Sequence, residues 1–151
     1  MEIERKFLIK EIPECIDINT CKKRSIEQGY LCTSPVVRVR KDNEEYYLTY
    51  KGKGLMVREE YNLPLTKEAY EKLVKKSEGN IITKTRYEIP EKDGLVIELD
   101  IFEGVFEGLV LAEVEFGSEA EAKEYVMPEW FREDVTNNPE YHNSNMAMRE
   151  I

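Results

Sequence analysis

One histidine, one tryptophan and three cysteines are all that the 151-residue chain holds of the side chains favoured by zinc sites, nucleophilic triads and disulfide scaffolds. His142 lies in a polar C-terminal stretch, a poor place for a ligand or base, so neither Ser-His-Asp nor Cys-His chemistry is expected. Cys15, Cys21 and Cys32 are odd in number and spaced for neither zinc nor a disulfide framework. No apolar run approaches the ~20 residues that span a bilayer. The N-terminal segment MEIERKF carries no apolar secretory stretch, so a cytoplasmic protein without membrane association is expected. A glycine-rich phosphate loop is missing as well, since Gly52-Lys53-Gly54 is too short to be one. Basic side chains are the minority, 22 against 31 acidic, and a net charge of −9 argues against nucleic acid as a surface partner.

What is present is a chain with 41% apolar and 35% charged residues, enough to bury one core and read as a single domain over 1–151. Short alternating runs rich in Val, Ile, Leu and Tyr predict strands at Met1–Ile9, Val36–Lys41, Glu45–Lys51, Leu55–Leu63, Ile81–Ile89, Leu95–Phe102 and Leu109–Phe116. Turn residues between them suit antiparallel hairpins. Two helices are expected. One is capped at Thr66 and runs to about Ser77, and the other runs from Ser118 to Met127, where Pro128 stops it. Lys22-Lys23-Arg24 is read as a basic loop.

The polar partner in these alternations is almost always charged, and the charges are sorted by sign. Glu2, Glu4 and Lys6 share one face of their strand, as do Arg38 with Arg40, Arg58 with Glu60, Lys84 with Arg86, Glu98 with Asp100, and Glu113 with Glu115. A solvated face seldom sets like charges side by side, because they repel. Basic strands facing acidic strands across the lumen of a small closed barrel account for the pattern. The apolar alternates then point outward and need covering helices. Carboxylates without histidine or cysteine suit Mg²⁺ or Mn²⁺, and Arg and Lys at fixed spacing suit a multiply charged oxyanion. Together they point to phosphoryl chemistry.

The ordered series Glu2-x-Glu4-x-Lys6, Arg38-x-Arg40, Lys51, Arg58-x-Glu60, Lys84-x-Arg86, Glu98-x-Asp100 and Glu113-x-Glu115 resembles the CYTH superfamily, the triphosphate tunnel metalloenzymes. The likeness extends from Glu2 to about Ala147 and takes in Glu27-Gln28-Gly29-Tyr30-Leu31 and Asp134-Val135-Thr136. It implies a mainly β fold: an eight-stranded antiparallel closed barrel, open at both ends, with a few covering helices. It also implies that Lys6, Arg38, Arg40, Lys51, Arg58, Lys84 and Arg86 contact the triphosphate. Glu2, Glu4, Glu60, Glu113 and Glu115 then hold one or two Mg²⁺ or Mn²⁺ ions. Glu98 and Asp100 serve either as further ligands or by holding basic residues and water. Lys84 is the implied activator of the hydrolytic water and Tyr30 its partner, although Tyr30 also reads as an aromatic packed at a rim. Asn62 stands where many members carry an acid. Arg5, Lys10 and Glu59 fall outside the inward register and read as surface charges.

The resemblance is nearest to the tripolyphosphatase branch, which implies metal-dependent hydrolysis of inorganic tripolyphosphate to pyrophosphate and phosphate, with nucleoside triphosphates as secondary substrates. The alternatives are a class IV type adenylyl cyclase and a non-catalytic polyphosphate-binding module. The partner is then a small-molecule triphosphate, and monomer and homodimer both stay open. Of the 22 basic and 31 acidic side chains, seven of each are assigned to the lumen and cancel. The remaining 15 and 24 carry the whole −9 on the outside.

Overall fold

A computed structural model describes residues 1–150. Ten strands form: β1 (Glu2–Ile9), β2 (Lys22–Thr33), β3 (Val36–Asp42), β4 (Glu45–Lys51), β5 (Val57–Arg58), β6 (Glu60–Pro64), β7 (Glu78–Pro90), β8 (Val96–Glu103), β9 (Val110–Glu115) and β10 (Phe131–Asp134). Three helices accompany them: α1 (Lys67–Val74), α2 (Glu119–Glu124) and α3 (Asn143–Ala147). All neighbours are antiparallel, in the order β10-β1-β9-β8-β7-β2-β3-β4-β6.

The sheet curls into an almost closed barrel through one short seam. β5 and β6 are a single course interrupted at Glu59; β6 pairs with β4, while β5 returns to β1 through Glu2↔Arg58 and Ile3↔Val57. Counting β5 and β6 together, eight strand positions surround the lumen, as the alternation requires. β10 takes the rest of the free edge of β1, from Phe7 to Ile9.

Alternate residues divide the packing into two cores. Outward-facing Phe7, Leu99, Ala112 and Val114 join Phe131, Ala122 and Tyr125 beneath α2 and β10, the covering expected of an inside-out sheet. At one end of the lumen the inward register turns apolar. Leu8, Leu111, Phe102 and Ile82 continue the rows that begin with Lys6, Glu113, Asp100 and Lys84, and Met146 and Ala147 of α3 pack onto them. Where openness at both ends was expected, this end is filled, because those four positions carry hydrocarbon instead of charge.

Several boundaries differ from expectation. Lys22-Lys23-Arg24 lies in β2, a strand whose basic start hides its alternation; its charges are matched across the ladder, Lys22 by Glu88 and Arg24 by Asp42 and Glu98. The Leu55–Leu63 run splits at Glu59 to make the seam. The Thr66 hydroxyl caps α1 by accepting from Ala69 N at 3.1 Å, and α1 ends at Val74. Ser118 caps α2 in the same way, accepting from Glu121 N at 3.1 Å. Arg5, read as a surface charge, is mostly buried; it donates to the carbonyls of Ala122 and Tyr125 and pairs with Asp134, tying α2 to β1. Gly29 is required where it stands, since a Cβ there would lie 2.0 Å from Ser77 Oγ. No helix among the described residues is long and apolar enough to cross a membrane.

Phe131 is 2% exposed, with its ring 4.9 Å from that of Phe7. Phe131→Ala is therefore expected to cost about 3–5 kcal/mol in urea unfolding. A loss under about 1 kcal/mol would show that β10 is not docked in this way.

Candidate functional site

The inward rows line a cavity of ≈ 140 Å³ whose walls are almost wholly charged or polar. All seven basic residues expected there line it: Lys6, Arg38, Arg40, Lys51, Arg58, Lys84 and Arg86. Of the seven acids, Glu2, Glu4, Glu60, Glu98, Glu113 and Glu115 line it, and Asp100 does not. Asp100 sits behind the wall, 1% exposed, where it accepts from Arg86 Nε at 2.7 Å and Arg86 Nη2 at 2.9 Å and forms an ion pair with Lys84 Nζ 2.8 Å away. Of the two expected roles it has the geometry of the second, holding basic residues in place.

A network around Arg86 organises this wall. Its guanidinium grips Asp100 bidentately and also reaches Glu113 and Glu98. Burial alone would raise the Glu113 carboxyl, but Lys6, Arg86 and Lys84 outweigh it and hold Glu113 well below the usual carboxylate range. Burial outweighs Asp100 at Lys84 and lowers that ammonium to about 8.

Elsewhere in the lumen charges stand without partners. Arg38, Arg40 and Arg58 form no ion pair with any described carboxylate. Arg38 donates only to Thr49 Oγ1 at 3.3 Å and its Nε is buried without a partner; Arg40 donates to Gln28 Oε1 at 2.8 Å, and Arg58 to Gly52 O at 3.2 Å. The facing acids show the converse. Among the described residues no salt bridge reaches Glu4 or Glu115, which are neighbours across β1 and β9. Burial and then the Glu113 charge raise Glu4; burial and then Glu60 raise Glu115. Glu2 is pushed up to about 8 by burial and by Glu4, while Glu60 falls to about 2, because Glu2, Lys51 and Asn62 together outweigh its own burial. Asn62, standing at an acid's position, donates to Glu60 Oε1 at 3.0 Å and so orients a carboxylate instead of supplying one.

Guanidinium groups without an ion pair therefore share one lumen with carboxylates that lack one. The first suits a polyanion and the second a hard divalent cation bound through oxygen. Among the described residues no three acids already stand together as a ligand set. The donor chemistry fits such an ion nonetheless, since Glu4 and Glu115 form no ion pair among the described residues and Glu2 shares its one cation, Lys51 at 3.0 Å, with Glu60.

The C-terminal segment supplies cavity residues that the alternation could not reveal. His142, expected in a polar tail, is 8% exposed and lines the cavity, with Nε2 2.8 Å from Thr136 O. Burial and then Lys6 lower its imidazole. Asn143 and Ser144 line the cavity beside it. The Tyr30 ring packs in the apolar end, 2% exposed, and the residue also lines the cavity.

A profile of CYTH domains matches residues 1–146. An inorganic triphosphatase of Nitrosomonas europaea is 38% identical over 150 residues, covering 97% of each chain. One of Acetivibrio thermocellus is 35% identical over 153 residues, covering 97% of this chain and 92% of the other. A crystal structure of an inorganic triphosphatase superposes with a TM-score of 0.73 at 35% identity, covering 99% of this chain and 96% of that one.

Glu2 gives the lumen a measurable signature. With an ordinary value of 4.5 and a folded value of about 8, the native chain holds a proton that the unfolded chain has lost across that range. Its contribution to stability is therefore present below 4.5 and falls away as pH rises towards 8. In EDTA, Glu2→Gln is expected to gain melting temperature relative to the unsubstituted chain as pH rises from about 5 to about 8. A constant difference between the two would show that Glu2 is ionised throughout.

Proposed function

The chain belongs to the CYTH family, and on that footing we propose that it hydrolyses inorganic tripolyphosphate to pyrophosphate and phosphate inside the barrel. The observation that carries this reading is the presence within one cavity of three guanidinium groups without an ion pair, Arg38, Arg40 and Arg58, together with the carboxylates Glu4 and Glu115, which also lack one among the described residues. A polyanion alone would satisfy the first set and a cation alone the second. A triphosphate with a divalent ion satisfies both. Pure storage of polyphosphate needs only the cations.

Triphosphatases of this family depend on a metal ion. Here Glu2, Glu4, Glu60, Glu113 and Glu115 would hold one or two Mg²⁺ or Mn²⁺ ions, with Glu98 as a further candidate; bound there, an ion shields phosphate oxygens and stabilises the leaving group. Lys6, Arg38, Arg40, Lys51, Arg58 and Arg86 align the substrate and neutralise charge that develops on its oxygens. Asp100 acts from behind, fixing Lys84 and Arg86. Lys84 faces the cavity as a buried amine lowered to about 8, so a minority of it is neutral near pH 7 and able to take a proton from water, and that share grows as pH rises through 8. The water oxygen then bonds to the terminal phosphorus, the bridging P–O bond breaks, and pyrophosphate leaves with the bonding pair. Tyr30 places a hydroxyl on the same wall to orient the water. The partner is accordingly a small molecule, with nucleoside triphosphates as slower substrates.

Phosphorus NMR of tripolyphosphate, ATP and long polyphosphate incubated with Mg²⁺ or Mn²⁺ tests the reading. Tripolyphosphate is expected to yield pyrophosphate and phosphate, and EDTA to stop the reaction. Cyclic AMP from ATP would instead identify a cyclase, and no turnover a binding module. Lys84→Ala is expected to lower kcat by about 10²-fold or more; full turnover by that variant sinks the role given to Lys84.

A further inference from the structure

Lys84 and Tyr30 do not touch, yet they are joined through two amides that the inward charge pattern does not predict. Gln28 is fully buried between β3 and β7, and its orientation is fixed by its neighbours. Arg40 Nε can only donate, so the Gln28 oxygen must face it, at 2.8 Å. That turns Gln28 Nε2 towards Tyr30 Oη at 3.0 Å and Asn143 Oδ1 at 3.4 Å. Asn143 Oδ1 in turn accepts from Lys84 Nζ at 3.0 Å. Donation thus runs from Arg40 through Gln28 to Asn143, whose oxygen also receives Lys84, with Tyr30 as a branch at Gln28.

This direction has consequences for both groups. Because Tyr30 Oη accepts from Gln28, its own proton is left to donate elsewhere, and the cavity that Tyr30 lines is open to it. An amine that has lost its proton keeps two N–H bonds and one lone pair. Asn143 Oδ1 takes one of these N–H bonds at 3.0 Å and the Asp100 carboxylate, ion-paired 2.8 Å from Nζ, attracts the other, which leaves the lone pair for the lumen. Without Asn143 the amine could rotate about its last bond and turn that lone pair away. The Lys84 head also lies 5.2 Å from the Phe102 ring centroid, so the apolar end of the barrel offers no other acceptor on that side.

We propose that Asn143, held by Gln28, is a positioning residue that aims the Lys84 amine at the hydrolytic water. The inference rests on the hydrolase reading above and deepens it. It also gives the C-terminal segment a reason to enter the lumen, since α3 begins at this residue and packs Met146 and Ala147 into the apolar end.

The test compares steady-state tripolyphosphate hydrolysis in three variants and one double variant. Asn143→Ala is expected to lower kcat by about 10- to 100-fold with KM within about threefold, since the substrate grip is untouched. Asn145→Ala serves as the control for loosened docking of α3. Among the described residues its side chain bonds only Pro139 O, at 2.9 Å, so the substitution is expected to lower the melting temperature while kcat stays within about twofold. In the Lys84→Met background, adding Asn143→Ala is expected to change kcat no further, because a residue acting through Lys84 has nothing left to position. The proposal is overturned if Asn143→Ala keeps the full kcat, if Asn145→Ala loses as much as Asn143→Ala, or if the losses at 84 and 143 multiply independently. If the unsubstituted protein releases no phosphate at all, the hydrolase reading itself falls, and this inference falls with it.

Discussion

Burying like charges side by side is the constraint on which the rest of this structure depends. An isolated ion moved from water into a protein interior loses several kcal/mol of solvation, so every lumenal charge needs a partner or a ligand. Arg86 is the residue that makes one wall tolerable. It grips Asp100 with Nε and Nη2, reaches Glu113 with Nη2 as well and Glu98 with Nη1, while Lys84 and Lys6 share the same carboxylates. Removing one member of such a set strands the rest, at a typical cost of about 3–5 kcal/mol. This network supports itself, and Asp100 serves it from behind the cavity surface.

Other parts of the lumen are not self-sufficient, and there the chemistry is expected. Arg38, Arg40 and Arg58 have only neutral acceptors, and Glu4 and Glu115 have no cationic partner. A fold optimised only for stability would have replaced both sets with hydrocarbon, as it does at Leu8, Leu111, Phe102 and Ile82 in the same rows. The barrel places its stable packing outside, under α2 and β10, and at one filled end. The remaining lumen keeps charges whose natural complements are a polyanion and a divalent cation.

Most of this was legible from residue order. Period-2 alternation with charges sorted by sign identified inward faces on β1, β3, β7, β8 and β9, because a strand offers only two faces and neither solvent nor a hydrocarbon core explains Arg38-x-Arg40 opposite Glu113-x-Glu115. What escaped is equally physical. β2 opens with Lys-Lys-Arg, so its inward row of Arg24, Ile26, Gln28 and Tyr30 mixes charge, hydrocarbon and amide and shows no clean period. His142 and Asn143 enter the lumen from a short turn and the five-residue α3, where contact depends on how the tail docks. Asp100 has the parity of a lining residue, and only the three dimensions reveal that Arg86 and Lys84 draw it behind the wall. The seam at Glu59 likewise depends on closure, a long-range event that a run of alternating residues does not announce.

The central claim is that the unpaired cations and unpaired carboxylates of one lumen are complements of a single metal-bound triphosphate. A crystal structure of the protein with tripolyphosphate and Mn²⁺, using anomalous scattering to locate the metal, tests it most directly. The account predicts manganese among Glu2, Glu4, Glu113 and Glu115, and phosphates against Arg38, Arg40 and Arg58. An empty lumen with the anion bound on the outer surface, or manganese held away from these carboxylates, would contradict it.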